Sequence, residues 1–190
     1  ALRHRPGARL PRRLAGERHP RARHRVLPAE VGAAGGAAAR GRDPRGLELS
    51  ANLDLASGWR AIAGYSYLDA RIIRSLAIES GQAVEGKRAT LTPRNSANLF
   101  VSKDFADRFG FGLGGNYVGD RFANPGNTVT LPAYVTVDAL AWVKMGPARL
   151  QLNAYNLFDK RYIVSGHGTS PLLNLPGAPR TVIATVRFDL

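Results

Sequence analysis

The chain has 190 residues, a formal net charge of +13 and no cysteine. Disulfides and thiolate metal sites are therefore excluded. No apolar run reaches the roughly 18 residues of a transmembrane helix, and no signal-peptide h-region follows the Arg-rich N-terminus.

The charge is unevenly placed. Residues 1–45 carry twelve Arg against Glu17, Glu30 and Asp43, a net of +9, which leaves +4 for residues 46–190. Ala, Arg, Gly and Pro dominate this tail, and every aromatic residue lies after Gly58. Such a stretch cannot bury enough apolar surface to fold alone, so disorder is expected over 1–45. Two origins compete: a basic arm that binds phosphate by charge, and GC-rich DNA translated out of frame. The second is favoured, because the tail contains no Lys. His4, His19 and His24 lack any regular ligand spacing.

From Gly46 the pattern changes to alternation with a period of two, the signature of strands. Leu47, Leu49, Ala51, Leu53 and Leu55 share the first apolar face, and Trp59, Ala61, Ala63, Tyr65 and Tyr67 the second. Ala97, Leu99 and Val101 form the third, and Phe109, Phe111, Leu113, Gly115 and Tyr117 the fourth. Odd positions from Val135 to Met145 make the fifth, and even positions from Ala148 to Ala154 the sixth. Val182, Ala184, Val186, Phe188 and Leu190 make the seventh. On these faces the one charge is Lys103, whereas Glu48, Asp54, Arg60, Asp104, Asp138, Lys144, Arg149, Arg187 and Asp189 fall on the other side.

A soluble sandwich also has one apolar face. The connections separate the two architectures. Residues 56–58, 106–108 and 146–147 are tight, whereas 70–93, 119–133 and 159–179 are long. In a meander this puts every short turn at one end and every long loop at the other, the layout of an outer-membrane barrel. Segments of about 9–11 residues suit a tilted strand crossing a bilayer. Trp59, Phe105 and Phe109 at the short turns and Tyr67, Tyr117 and Tyr134 at the long loops would form two interfacial girdles. The expected fold is all-β: an antiparallel up-and-down meander of about seven strands, a partial outer-membrane β-barrel, behind a disordered Arg-rich tail.

Four stretches carry a family likeness: RGLELSANLDLASGWRAIAGYSYLDARI from Arg45, TPRNSANLF from Thr92 (with Pro93 and Arg94), LPAYVTVDALAWVK from Leu131 and LNAYNLFDKRY from Leu152. With the closing PGAPRTVIATVRFDL they resemble the C-terminal region of TonB-dependent outer-membrane receptors, especially ferric-siderophore receptors. The likeness covers residues 45–190. It implies a barrel of roughly 22 strands with a plugged lumen, of which this chain supplies about seven. It also implies location in the bacterial outer membrane, lipid around the barrel, a ferric siderophore as transported ligand, and a TonB complex engaged through N-terminal parts. In the family, the segment containing Asn156, Leu157, Phe158, Asp159 and Tyr162 is a structural turn. Locally, Asn156 and Asp159 can bond backbone where the strand ends. Leu157 and Phe158 would anchor at the membrane rim, where Lys160, Arg161 and Tyr162 could snorkel. Family members usually close on an aromatic residue, whereas Leu190 stands last here, with Phe188 two before it.

No nucleophile elbow, phosphate loop or metal-ligand cluster occurs, and neither a cofactor nor an enzymatic activity is expected. The glycines of residues 110–115 fall mainly on the polar face of a strand, where small residues suit a crowded lumen. Asp69, Arg71 and Arg74, near the outer end of the second strand, and His167 are candidates for a ligand rim, since cations would suit anionic ferric chelates. Solvated loops explain them equally well. Two alternatives remain: a passive porin-like barrel, and a nucleic-acid-binding protein using the tail. Nucleic acid is not the expected partner.

Overall fold

The computed structural model describes residues 30–32, 42–79, 81–168 and 170–188. Among the described residues fourteen strands follow one another. They are β1 (Glu30–Gly32), β2 (Arg42–Asp54), β3 (Trp59–Ile72), β4 (Ile78–Glu79), β5 (Gln82–Ala83), β6 (Asn95–Phe105) and β7 (Phe109–Val118). Then come β8 (Arg121–Phe122), β9 (Thr130–Leu131), β10 (Tyr134–Met145), β11 (Ala148–Tyr155), β12 (Ile163–Ser165), β13 (Leu175–Pro176) and β14 (Thr181–Phe188).

The main sheet has the order β1-β2-β3-β6-β7-β10-β11-β14, and every neighbouring pair is antiparallel. The seven long strands are the expected meander, and among the described residues the sheet is open at both edges. Two features lie inside the expected disordered tail. The three residues of β1 pair with β2, and β2 itself begins at Arg42, before the compositional boundary. The rest of the tail lies outside the described residues, as do Asp189 and Leu190.

Register keeps the two faces distinct across the whole sheet. Leu53, Ala61, Val101, Leu113, Ala139, Ala154 and Val182 are successive cross-strand partners. One step along, the row reads Asp54, Arg60, Ser102, Gly112, Leu140, Asn153 and Ile183. A one-residue slip in any strand would exchange these rows.

The apolar row does not form a core. Leu99 is 51% exposed, Leu113 53% and Leu152 45%. The buried apolar side chains are instead Trp142 on the opposite face and Val84, Ala89, Ala123 and Leu131 in the long connections. Leaving a continuous apolar face outermost is unfavourable in water but is what hydrocarbon requires.

The polar face is packed by rings lying over glycines. A Cβ on Gly112 would collide with the Phe100 ring, and one on Gly114 would approach it to 2.9 Å. A Cβ on Gly110 would meet Trp142 Nε1 at 2.5 Å. Trp142 Nε1 donates to Asp104 Oδ1 at 3.2 Å, and Arg149 stacks on the Trp142 ring at 3.9 Å. The glycines of β7 thus seat aromatic side chains from β6 and β10.

At the short-turn end, Ala106 and Asp107 both take positive φ, and Arg108 N donates to Phe105 O at 2.9 Å. This is the turn geometry whose twist suits a two-residue hairpin. Phe105 stacks on Phe109 at 4.6 Å, and Trp59 meets Phe111 edge-on at 6.2 Å. Lys103, the exception on the apolar face, extends over the Trp59 and Phe105 rings and donates to Ser57 O. Its stem remains on the apolar surface while its charge leaves it.

Candidate functional site

The three long connections fold onto one another at one end of the sheet. Residues 73–94 return along β3: Ile72 N donates to Lys87 O at 2.9 Å and Ala89 N to Ala70 O at 2.8 Å. Within residues 119–133, Asn124 is fully buried. Its Oδ1 accepts from Thr128 N and Val129 N at 3.1 and 2.9 Å, and its Nδ2 donates to Thr128 Oγ1 at 2.9 Å. A side-chain amide that satisfies a turn from within fixes the loop shape.

The first and second connections are then clasped. Arg88 N donates to Asn127 Oδ1 at 2.8 Å, while Asn127 Nδ2 donates to Arg88 O at 3.0 Å. Gly126 N donates to Glu79 Oε2 at 2.5 Å, and Arg88 pairs with Asp120 at 3.2 Å. Arg121, 2% exposed, joins the second connection to the third. Its Nη2 donates to Ile163 O and, at 2.6 Å, to Val164 O. Its guanidinium lies 5.3 Å from the Tyr134 ring, which packs on Tyr162 at 4.3 Å. Tyr134 was expected in the outer girdle. It belongs instead to this loop cluster, because β10 begins on its polar-face parity.

The Asn156–Tyr162 segment sits under the third connection. Asn156 has φ +48 and is 4% exposed. Its Nδ2 donates to Lys160 O and Ala178 O, each at 3.0 Å, and its Oδ1 accepts from Lys160 N at 2.9 Å. Its backbone N donates to Asp138 Oδ1 at 2.8 Å. Asp159 Oδ1 accepts from Arg180 N at 2.9 Å, so this carboxylate reaches the distant end of the loop rather than its own turn. Leu157 is half-buried, Phe158 is 74% exposed, and the Tyr162 ring occupies the space a side chain on Gly177 would need. A cavity of about 550 Å3 lies between residues 159–163 and Pro176, Gly177 and Pro179.

Asp69, Arg71 and Arg94 come together beyond Tyr65 and Tyr67. Arg71 Nε lies 3.1 Å from Asp69 Oδ2, and Arg94 Nη2 lies 3.3 Å from Asp69 Oδ1. Pro93 precedes this cluster, and Arg94 O accepts from Leu68 N at 2.8 Å. Arg74 and His167 are exposed, and neither hydrogen-bonds to the cluster among the described residues. Among the described residues no group of His, Cys, Asp or Glu could hold a metal ion.

The loop knot escaped the sequence reading. The run Asn124-Pro125-Gly126-Asn127 signals a turn, but nothing local announces that Asn124 is buried or that Arg121 reaches Ile163.

The family model described as TonB dependent receptor-like, beta-barrel matches residues 39–157. The ferrioxamine receptor of Yersinia enterocolitica is 32% identical over 152 residues, which is 76% of this chain and 20% of that protein. The ferrichrome outer membrane transporter/phage receptor of Escherichia coli K12 is 29% identical over 153 residues, 76% of this chain and 19% of that protein. The crystal structure of the siderophore receptor PiuA from Acinetobacter baumannii matches with a TM-score of 0.69 at 27% identity, covering 77% of this chain and 22% of that one. The chain thus spans about a fifth of the length of these relatives.

Proposed function

Since the chain belongs to the TonB-dependent receptor-like β-barrel family, we propose that it supplies the C-terminal strands and external loops of a receptor for a ferric siderophore or a similar chelate. Receptors of this family are outer-membrane proteins, and the relatives are named as receptors and transporters rather than enzymes. The work proposed is binding and gated transport, without covalent chemistry. The barrel region is taken as 46–190, with strand pairing reaching back to Arg42.

The observation that carries this reading is the combination of an exposed apolar face with long connections gathered at one end. The apolar face meets lipid, the polar face lines the lumen, and the loop knot stands outside the membrane. Cations in the loops, with Arg74 and His167 as exposed candidates, raise the local concentration of an anionic chelate. Asn156, Leu157, Phe158, Asp159 and Tyr162 hold the third loop in place rather than touch the ligand. Coupling to TonB and closure of the lumen belong to parts of the receptor outside this chain.

The test is to place the full-length gene containing this segment in a receptor-deficient strain. Siderophore-dependent iron uptake that disappears when TonB is removed supports the reading. Uptake of small solutes that persists without TonB would favour the porin-like alternative.

A further inference from the structure

The three long connections are joined in series. The first is fixed to the sheet, since Lys87 and Ala89 bond to Ile72 and Ala70 of β3 and Arg88 bridges to Arg71. The second hangs from the first by the reciprocal Arg88–Asn127 pair and by Glu79, whose carboxylate accepts from Gly126 N. The third is tied to the second by Arg121, whose Nη2 donates to Ile163 O and Val164 O. It also packs there at Gly166, where a Cβ would lie 3.0 Å from Ala123 and 3.3 Å from Leu131. Arg121 is the costly link. It is 2% exposed, has no carboxylate within ion-pair distance among the described residues, and keeps an Nη1 that is shielded from solvent without a hydrogen-bond partner. A buried cation with an idle donor lowers stability, and the Tyr134 ring at 5.3 Å offsets only part of that. An apolar side chain of similar length would avoid the cost. What it could not do is hold two carbonyls of another loop in place.

We infer that Arg121 is a positioning residue for ligand recognition: it makes the second and third connections one rigid wall, set in its binding shape before a ferric chelate arrives. This rests on the receptor reading above. Being buried, Arg121 does not touch the chelate itself. It acts through the segment it grips. Lys160 and Arg161, both exposed, stand between the Asn156 anchor and the carbonyls that Arg121 holds, and the exposed His167 follows three residues after Val164. Fixing Ile163 and Val164 therefore fixes where these cations start. On this side of the vestibule the chelate meets a standing wall, and any movement on binding is left to other parts of the receptor. A wall ordered in advance spares the ordering cost at binding. A wall that is ordered only part of the time weakens apparent affinity by that fraction.

The test follows amide exchange in the full-length receptor in lipid vesicles, with and without ferrioxamine B and ferrichrome, the chelates for which relatives are named. Kd and the uptake rate at saturation are measured alongside. In the wild type, bound chelate is expected to change exchange over residues 119–133 and 162–168 by less than about twofold, because the wall is already ordered. In R121M, exchange of the free receptor should rise about tenfold or more over both segments together. Chelate should restore protection, and Kd should rise about tenfold with the saturated uptake rate unchanged. Strong protection by chelate in the wild type would overturn the standing wall. So would a loosening in R121M confined to 162–168, or a loss of saturated uptake with Kd unchanged. Should R121M fail to insert, N127G breaks the clasp to Arg88 at a residue of φ +56 without backbone strain, and the second and third connections should then loosen together from the first. A wild type that binds neither chelate counts against the ferric-chelate reading, while the comparison without ligand still decides whether the two connections are one body.

Discussion

Replacing Asn156 by Ala should unfasten the third loop from the sheet. The Asn156 side chain makes three hydrogen bonds, two to Lys160 and one to Ala178, in a position only 4% exposed. Each loss costs about 1 kcal/mol. The residue also holds φ at +48, where a Cβ without a local hydrogen bond costs a further 1–2 kcal/mol or so. Asn156→Ala is therefore expected to destabilise by about 4 kcal/mol, and Asn156→Gly by about 3, since glycine relieves only the backbone share. The assay is equilibrium unfolding in guanidinium of the full-length receptor folded into lipid vesicles. A cost below about 1 kcal/mol for Ala would show that the turn is held by other contacts. A cost for Gly equal to that for Ala would refute the backbone part.

Further outcomes follow from other sites. Gly112→Ala should cost about 1–3 kcal/mol by overpacking against Phe100, whereas Gly115→Ala, with nothing within 4 Å of its new Cβ, should be nearly neutral; both are read from unfolding midpoints. Arg121→Met should speed amide exchange at residues 162–166 and in the second connection while leaving the main strands protected, because it removes the donor to Ile163 and Val164. Residues 1–190 expressed alone should give no siderophore-dependent iron uptake above an empty vector, since an open sheet leaves unpaired backbone groups that lipid does not tolerate. Uptake by that segment alone would contradict the reading of it as part of a larger barrel.

The seven long strands were legible because alternation is a local signal and repeats for many residues. Their ends were less so. The pattern placed the end of the second strand near Tyr67, but β3 continues to Ile72 because residues 42–45 of β2 pair with it on one side and Lys87 and Ala89 return to it on the other. Pairing at that end depends partly on a loop some fifteen residues away, which periodicity does not register. The ladders β4–β5, β8–β9 and β12–β13 are too short to show any period. The glycines of β7 could be placed on the polar face, yet the rings that cover them come from β6 and β10 and required the register. The candidate ligand rim shows the same limit. Charge alone placed Asp69 and Arg71 at the outer end, and only the pairing with β2 showed that they share a face with Tyr67.

The most direct test of the lipid-facing assignment compares Leu152→Arg with Asn153→Arg, neighbours on opposite faces of β11, by equilibrium unfolding of the full-length receptor in lipid vesicles. Leu152 lies mid-strand between Ala141 and Ala184, so an Arg there should cost roughly 2–4 kcal/mol, while the lumenal Asn153→Arg should cost less than about 1. Equal costs at the two positions, or a larger cost at Asn153, would contradict the orientation of the sheet and with it the barrel reading.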